Sequence, residues 1–187
     1  MSEVRVYFEG SSRLRPGFTQ FLRRVLARRV GIKCIPCRDR ASAIRDFRKA
    51  VGLRRPGEDI LLIDSEGPDN GKLFEGLKLP KANRRCVFWM VQMMESWFLA
   101  DPEALARCYE KLDRRALKDH LDVETIPKRD VEAILKRATR ICSQRYDRRT
   151  GAKTTMAPKI LAELVPARVR EKARNCDLLL SHLEKLR

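Results

Sequence analysis

The sequence predicts an α/β fold, a Rossmann-like parallel sheet flanked by helices and followed by a C-terminal helical region. Three observations carry that prediction. Short apolar runs bounded by turn formers alternate with amphipathic stretches through the first half of the chain. The run Ile60-Leu61-Leu62-Ile63 has no polar face, as expected of a strand covered by helices on both sides. The second half carries apolar stripes of helical period and no strand-like run. Residues 1–102 therefore read as an α/β core and residues 103–187 as a helical extension packed on it in one structural unit.

In order, residues 4–8 form a β-prone run ending in Glu9-Gly10, and Ser11, Ser12 and Pro16-Gly17 mark the loop that follows. Phe18, Phe21, Leu22, Val25 and Leu26 recur at helical spacing, and Gly31 is placed to stop that helix. Residues 32–37 supply a second strand. Residues 41–51 supply a second helix, with Ile44, Phe47 and Val51 inward and Gly52 at its end. The third strand is residues 59–64. The segment 67–85 is too long for a simple loop, so residues 72–77 are expected to form a short crossover helix.

Residues 86–91 give a fourth, continuously apolar strand. A helix follows over residues 92–100, with Met94, Trp97 and Phe98 inward. Asp101-Pro102-Glu103 has the chemistry of a helix start: a capping carboxylate, a proline in the first turn and an acid facing the dipole. Three stripes complete the chain: Val131, Ile134, Leu135, Ala138, Ile141 and Cys142; Ile160, Leu161, Leu164 and Val165; and Leu178, Leu179, Leu183 and Leu186. Residues 145–155 read as a basic loop between the first two.

With 41 Lys and Arg against 25 Asp and Glu, the formal net charge is +16. The excess is even: residues 1–102 hold 20 basic and 12 acidic side chains, and residues 103–187 hold 21 and 13. Such a surface attracts polyanions, nucleic acid first among them, although a solvated arginine-rich surface reads the same way. Arginine pairs suit bidentate phosphate contacts. The candidate nucleic-acid contacts are Arg13, Arg15, Arg84, Arg85, Arg148, Arg149 and Lys153. No apolar run approaches membrane-spanning length and the start lacks a secretory pattern, so a cytoplasmic protein with no membrane association is expected. The six cysteines are then expected as free thiols. Cys34-x-x-Cys37 falls in a strand and lacks a second ligand pair, which argues against zinc and against a redox motif.

Four acids follow directly on predicted strands: Glu9 after the first, Asp64 and Glu66 after the third, Glu95 after the fourth. If those strands are parallel neighbours, all four emerge at one carboxyl edge, where sheets of this kind place their ligands. Like charges gathered there either spread into solvent or hold a hard cation such as Mg²⁺ or Mn²⁺. The alternative is that Glu66 merely opens a turn and Glu95 faces solvent. No Gly-x-x-x-x-Gly-Lys-Ser/Thr loop exists, and Ser65 has no histidine near a strand end to serve as its base.

Phe8-Glu9-Gly10, Ile63-Asp64-Ser65-Glu66-Gly67-Pro68 and the block from Val91-Gln92-Met93-Met94-Glu95-Ser96-Trp97 to Asp101 together resemble the bacterial family called domain of unknown function 4276. That family is similar to the Toprim fold of topoisomerases, primases and overcoming-lysogenization-type nucleases. The resemblance implies a Mg²⁺-dependent nuclease in which Glu9 is the acid/base group or a metal ligand and Asp64 and Glu66 form the metal pair; the clustering of the acids adds Glu95 to the metal residues. The chain departs from the Asp-x-Asp pattern by carrying Glu66 in the second place, and Gly10-Ser11-Ser12 stand where further acids are often found. The resemblance also implies an ATPase partner protein. A non-catalytic nucleic-acid-binding or ATPase-binding subunit is the alternative function.

Overall fold

The structure, a computed structural model, describes residues 3–147 and 151–186, with the side chains of residues 152 and 153 outside the description. Four strands, β1 (Glu3–Glu9), β2 (Gly31–Cys37), β3 (Glu58–Asp64) and β4 (Val87–Met90), form one sheet in the order β2-β1-β3-β4. Every pairing is parallel. The chain steps outward from β1 to β2, then returns past β1 to β3, so the winding reverses between β1 and β3. A reversal of this kind opens a crevice beyond the strand ends, and here it lies between Glu9 and Asp64.

Strand alternation sorts the apolar residues onto two faces. Val4, Val6, Phe8, Ile60, Leu62, Phe88 and Met90 face one layer of helices. Tyr7, Leu61, Ile63, Val87 and Trp89 face the other. The second face is closed by α2 (Arg40–Gly52) through Ala43, Phe47 and Ala50. The first is closed by α1 (Arg15–Arg23) and by the C-terminal helices, whose buried residues join the same apolar cluster. These are α3 (Ser96–Ala100), α4 (Pro102–Cys108), α5 (Lys128–Ala138), α6 (Ala152–Glu163), α7 (Pro166–Lys172) and α8 (Arg174–Glu184). Among the described residues no helix is long and apolar enough to cross a membrane.

Local chemistry explains where the elements differ from expectation. The helix expected over residues 92–100 is reduced to α3, because Gln92 takes a left-handed backbone (φ 63°) and Met93 N–H closes a tight turn on Val91 O at 2.8 Å. The crossover between β3 and β4 uses two 3-10 turns, Glu75–Leu77 and Lys81–Cys86. Helix α5 stops at Ala138, so Ile141 leaves the stripe and is 63% exposed. In α8 the inward residues are Leu179, Leu180 and Leu183, and Leu178 is 52% exposed. The short α7, started by Pro166, was not anticipated. Part of the expected 145–155 loop is structured: Tyr146 is buried and α6 begins at Ala152.

Two contacts fix the C-terminal helices to the sheet. Asp101 is fully buried: its carboxylate accepts from Ala104 N–H at 3.2 Å, capping α4, from Val165 N–H at 2.9 Å, and from Arg168 at 3.0 Å. One side chain thus joins the start of α4 to the turn between α6 and α7. Gly17 lets α1 meet α6 closely, since a Cβ there would lie 2.6 Å from Pro158 O and 2.7 Å from Leu161 Cβ. Gly17→Ala is therefore expected to destabilise the protein by about 1–3 kcal/mol through overpacking against backbone that has little room to retreat. Urea denaturation checks it, with Gly76→Ala, which has open space around it, as the control.

A candidate acidic cleft at the carboxyl end of the sheet

Glu9 is the last residue of β1 and Asp64 the last of β3. Beyond Glu9, Gly10 (φ 136°) turns the chain away while its N–H still donates to Cys37 O at 2.8 Å. Beyond Asp64, Ser65 N–H donates to Met90 O at 3.0 Å, extending the β3–β4 contact by one residue. Ser65 Oγ then donates to Gly67 O and accepts from Gln92 N–H at 2.8 Å, which ties the two loops together. Within this knot Glu66 and Gln92 both hold φ of 63°. A left-handed backbone costs a non-glycine residue roughly 1–2 kcal/mol, so the hydrogen bonds maintain a strained pair of loops directly over the crevice.

The four acids differ in setting. Asp64 accepts a hydrogen bond from Met94 N–H at 2.8 Å. Glu95 is 1% exposed and accepts from the Tyr146 hydroxyl at 2.9 Å. Tyr146 is in turn held by its N–H, which donates to Thr139 Oγ1 at 2.8 Å. Glu66 is exposed and ion-paired with Lys128 of α5. Glu9 is partly buried, and its Oε2 is enclosed without a hydrogen-bond partner among the described residues.

Their charges are coupled through Asp64. Desolvation, reinforced by Glu95, Glu9 and Glu66, pushes Asp64 up to about 8, against the opposing Met94 N–H. Burial and then Glu66 raise Glu9 above the ordinary carboxylate range, while Arg40 and Lys128 pull it back. Burial and Glu95 keep the Tyr146 phenol protonated well above its usual range, so it remains a donor. Arg40 donates to Asp64 O at 3.1 Å and stacks over the Trp89 ring at 5.5 Å, which brings a guanidinium beside the end of β3 at the crevice.

The structure thus gathers Glu9, Asp64, Glu66 and Glu95 at one end of the sheet. Arg13 and Arg15 follow Glu9 on the same end and are exposed. Arg84 and Arg85 do not join them: they close the 3-10 turn before β4, at the amino end of that strand. Arg148 and Arg149 lie outside the described residues, and so does the side chain of Lys153. Sequence reasoning missed Arg40, Lys128 and Tyr146. Arg40 was within reach of it, since Asp39-Arg40 directly follows a strand and Asp39 caps α2 through Ser42 N–H at 2.8 Å. Lys128 and Tyr146 meet their partners across 62 and 51 residues and carried no local signal. Cys34 and Cys37 lie on β2 as free thiols in the two different apolar clusters, each pushed up to about 11 by burial.

For a hard divalent ion the donor chemistry fits: carboxylate oxygens, a central acid made reluctant to ionise by its neighbours, and an enclosed Glu9 Oε2 with unused acceptor capacity. The closure is incomplete. Among the described residues no three His, Cys, Asp or Glu side chains are placed to hold a metal ion together. Glu66 is drawn to Lys128 and Glu95 to Tyr146.

A family model described as a domain of unknown function, DUF4276, matches residues 13–184. No curated protein and no solved structure matches the chain.

The raised Asp64 makes stability depend on pH. Between the ordinary Asp value, 3.8, and about 8 the folded chain binds a proton that the unfolded chain has lost. The contribution is complete below 3.8 and fades as pH rises toward 8. Without divalent cations, wild type is expected to lose stability over this interval relative to Asp64→Asn, which has no proton to lose there. Denaturant midpoints of the two proteins from pH 5 to 9 measure it, and parallel curves would refute the assignment.

Proposed function

The chain belongs to the DUF4276 family, and we propose that it is a metal-dependent hydrolase of nucleic-acid phosphodiesters. The observation that carries this reading is the coupling of Glu9, Glu66 and Glu95 to a partly buried Asp64 at the winding reversal of a parallel sheet, in a chain of net charge +16. Asp64, Glu66 and Glu95 would hold Mg²⁺ or Mn²⁺. Such an ion, when bound, offsets phosphoryl charge and makes its water a nucleophile near neutral pH.

Each side chain has a task that its setting supports. Glu9, raised by burial and by Glu66, takes up or returns a proton closer to neutral pH than an ordinary glutamate. Tyr146 holds Glu95 in one rotamer by donating to it. Arg40 and Lys128, with the exposed Arg13 and Arg15, form a cationic rim that draws a phosphate backbone toward the acids. Glu66 has to leave Lys128 before it can serve as a ligand.

A second reading, a non-catalytic subunit that docks nucleic acid or an ATPase partner, is favoured by that same ion pair. Lys128 already neutralises Glu66 without help from a metal. Supercoiled DNA and RNA, incubated with the purified protein and Mg²⁺ or Mn²⁺, separate the two. On the hydrolase reading, cleavage occurs, Asp64→Asn abolishes it, and Glu9→Gln slows it by about 10²–10⁴-fold. Mn²⁺ then raises the melting temperature of wild type and leaves that of Asp64→Asn unmoved. No cleavage and equal shifts leave the subunit reading standing.

A further inference from the structure

Arg84 and Arg85 sit at the amino end of β4, and the hydrolytic proposal gives them nothing to do. They flank an open groove of about 400 Å³ along the outer side of that strand. Val87, Phe88 and Trp89 make its floor. Helix α8 supplies one wall through Leu178, His182 and its capping residue Lys185, and Leu73 and Phe74 supply the other.

The floor has unused bonding capacity. Among the described residues strand β4 has a neighbour, β3, on one side only. Val87 N–H turns back onto Arg84 O, closing the 3-10 turn. Among the described residues, no backbone group of Phe88 or Trp89 bonds to anything outside the sheet. Strand residues direct their N–H and C=O groups to alternate sides, so part of this set faces the groove and can template another strand.

The walls define what would fit. Leu178 is 52% exposed in the middle of α8, an apolar anchor with no partner layer above it. Arg84, Arg85 and Lys185 are exposed and enter no ion pair among the described residues, and the Arg84 guanidinium rests on the Phe74 ring at 5.7 Å. The acids nearby are already engaged: Asp69 accepts from Gly71 N–H at 2.9 Å and from Asn175 at 3.4 Å, and Glu58 accepts from the Cys86 thiol at 3.3 Å. The groove therefore presents net positive charge around an apolar centre.

We infer that the outer edge of β4 docks an extended acidic segment of a partner protein, added to the sheet as a fifth strand. Its carboxylates meet Arg84, Arg85 and Lys185, and an apolar side chain covers Leu178. A second copy of this chain is disfavoured because two bodies of charge +16 repel. Nucleic acid satisfies the arginines but has no peptide groups with which to continue the ladder.

The test is selection from a random-peptide phage library on the immobilised full chain. The control proteins are Arg84→Glu/Arg85→Glu and Leu178→Asp, each first shown to melt like wild type. The expected winners alternate acidic and apolar residues and, made synthetically with a fluorophore, lose at least about 10-fold in affinity on either control protein, roughly 1.4 kcal/mol. They also slow hydrogen exchange of the β4 amides. No enrichment, winners without acids, or binding unmoved by the substitutions overturns the inference. So does the outcome in which a labelled single-stranded oligonucleotide is released by Arg84→Glu/Arg85→Glu while peptide binding is unchanged, which makes the groove a nucleic-acid contact. None of these outcomes depends on cleavage activity.

Discussion

Carboxylates brought together in a place short of water cannot all keep their charge, and much of this molecule is arranged around that constraint. Asp64 takes the largest share, because it closes a strand buried on both sides and feels three other acids. The surroundings relieve the conflict with whatever donors are within reach. A backbone N–H serves Asp64, a phenol serves Glu95 and an ammonium serves Glu66. Glu9 Oε2 receives none from the described residues. Removing one relief would shift the load onto the others, because a buried ionised group without a partner is far more costly than a paired one.

The donors come from distant parts of the chain, which gives the C-terminal helices a purpose beyond covering apolar surface. Lys128 opens α5, and Tyr146 follows it after the Thr139 turn. Both reach the cleft because Val131 and Leu135 of α5, and Tyr146 itself, are buried in the apolar cluster that covers the sheet. Position in these loops and positioning of the acids are therefore one problem, with packing solving both.

Much of this was legible in the sequence. The continuous run before Asp64 and the turn formers after each strand fixed strand number, and the position of the acids after those strands fixed the end of the sheet at which they gather. Asp101 could be read as a cap from its local pattern, and its added ties to Val165 and Arg168 could not. Periodicity failed where a helix stopped early or was phased differently, as at Ile141 and Leu178, since a stripe records which residues are apolar and not where backbone geometry changes. It failed again at Gln92, whose left-handed backbone is set by a hydrogen bond to Ser65 in another loop. Contacts such as Glu66 with Lys128 depend on tertiary packing and leave no mark on neighbouring residues.

The single apolar cluster that takes in Val6, Trp97, Leu135 and Leu180 has a bearing on how such a protein can be inherited and engineered. A break at residue 102 would strip Trp97 and Phe98 of their cover and leave Asp101 without the amide it binds on the far side. The helical half is consequently no cassette to be swapped or trimmed. Gene fusions, split reporters and crystallisation fragments should keep the stretch from the first strand to the last helix whole and make their joins beyond it.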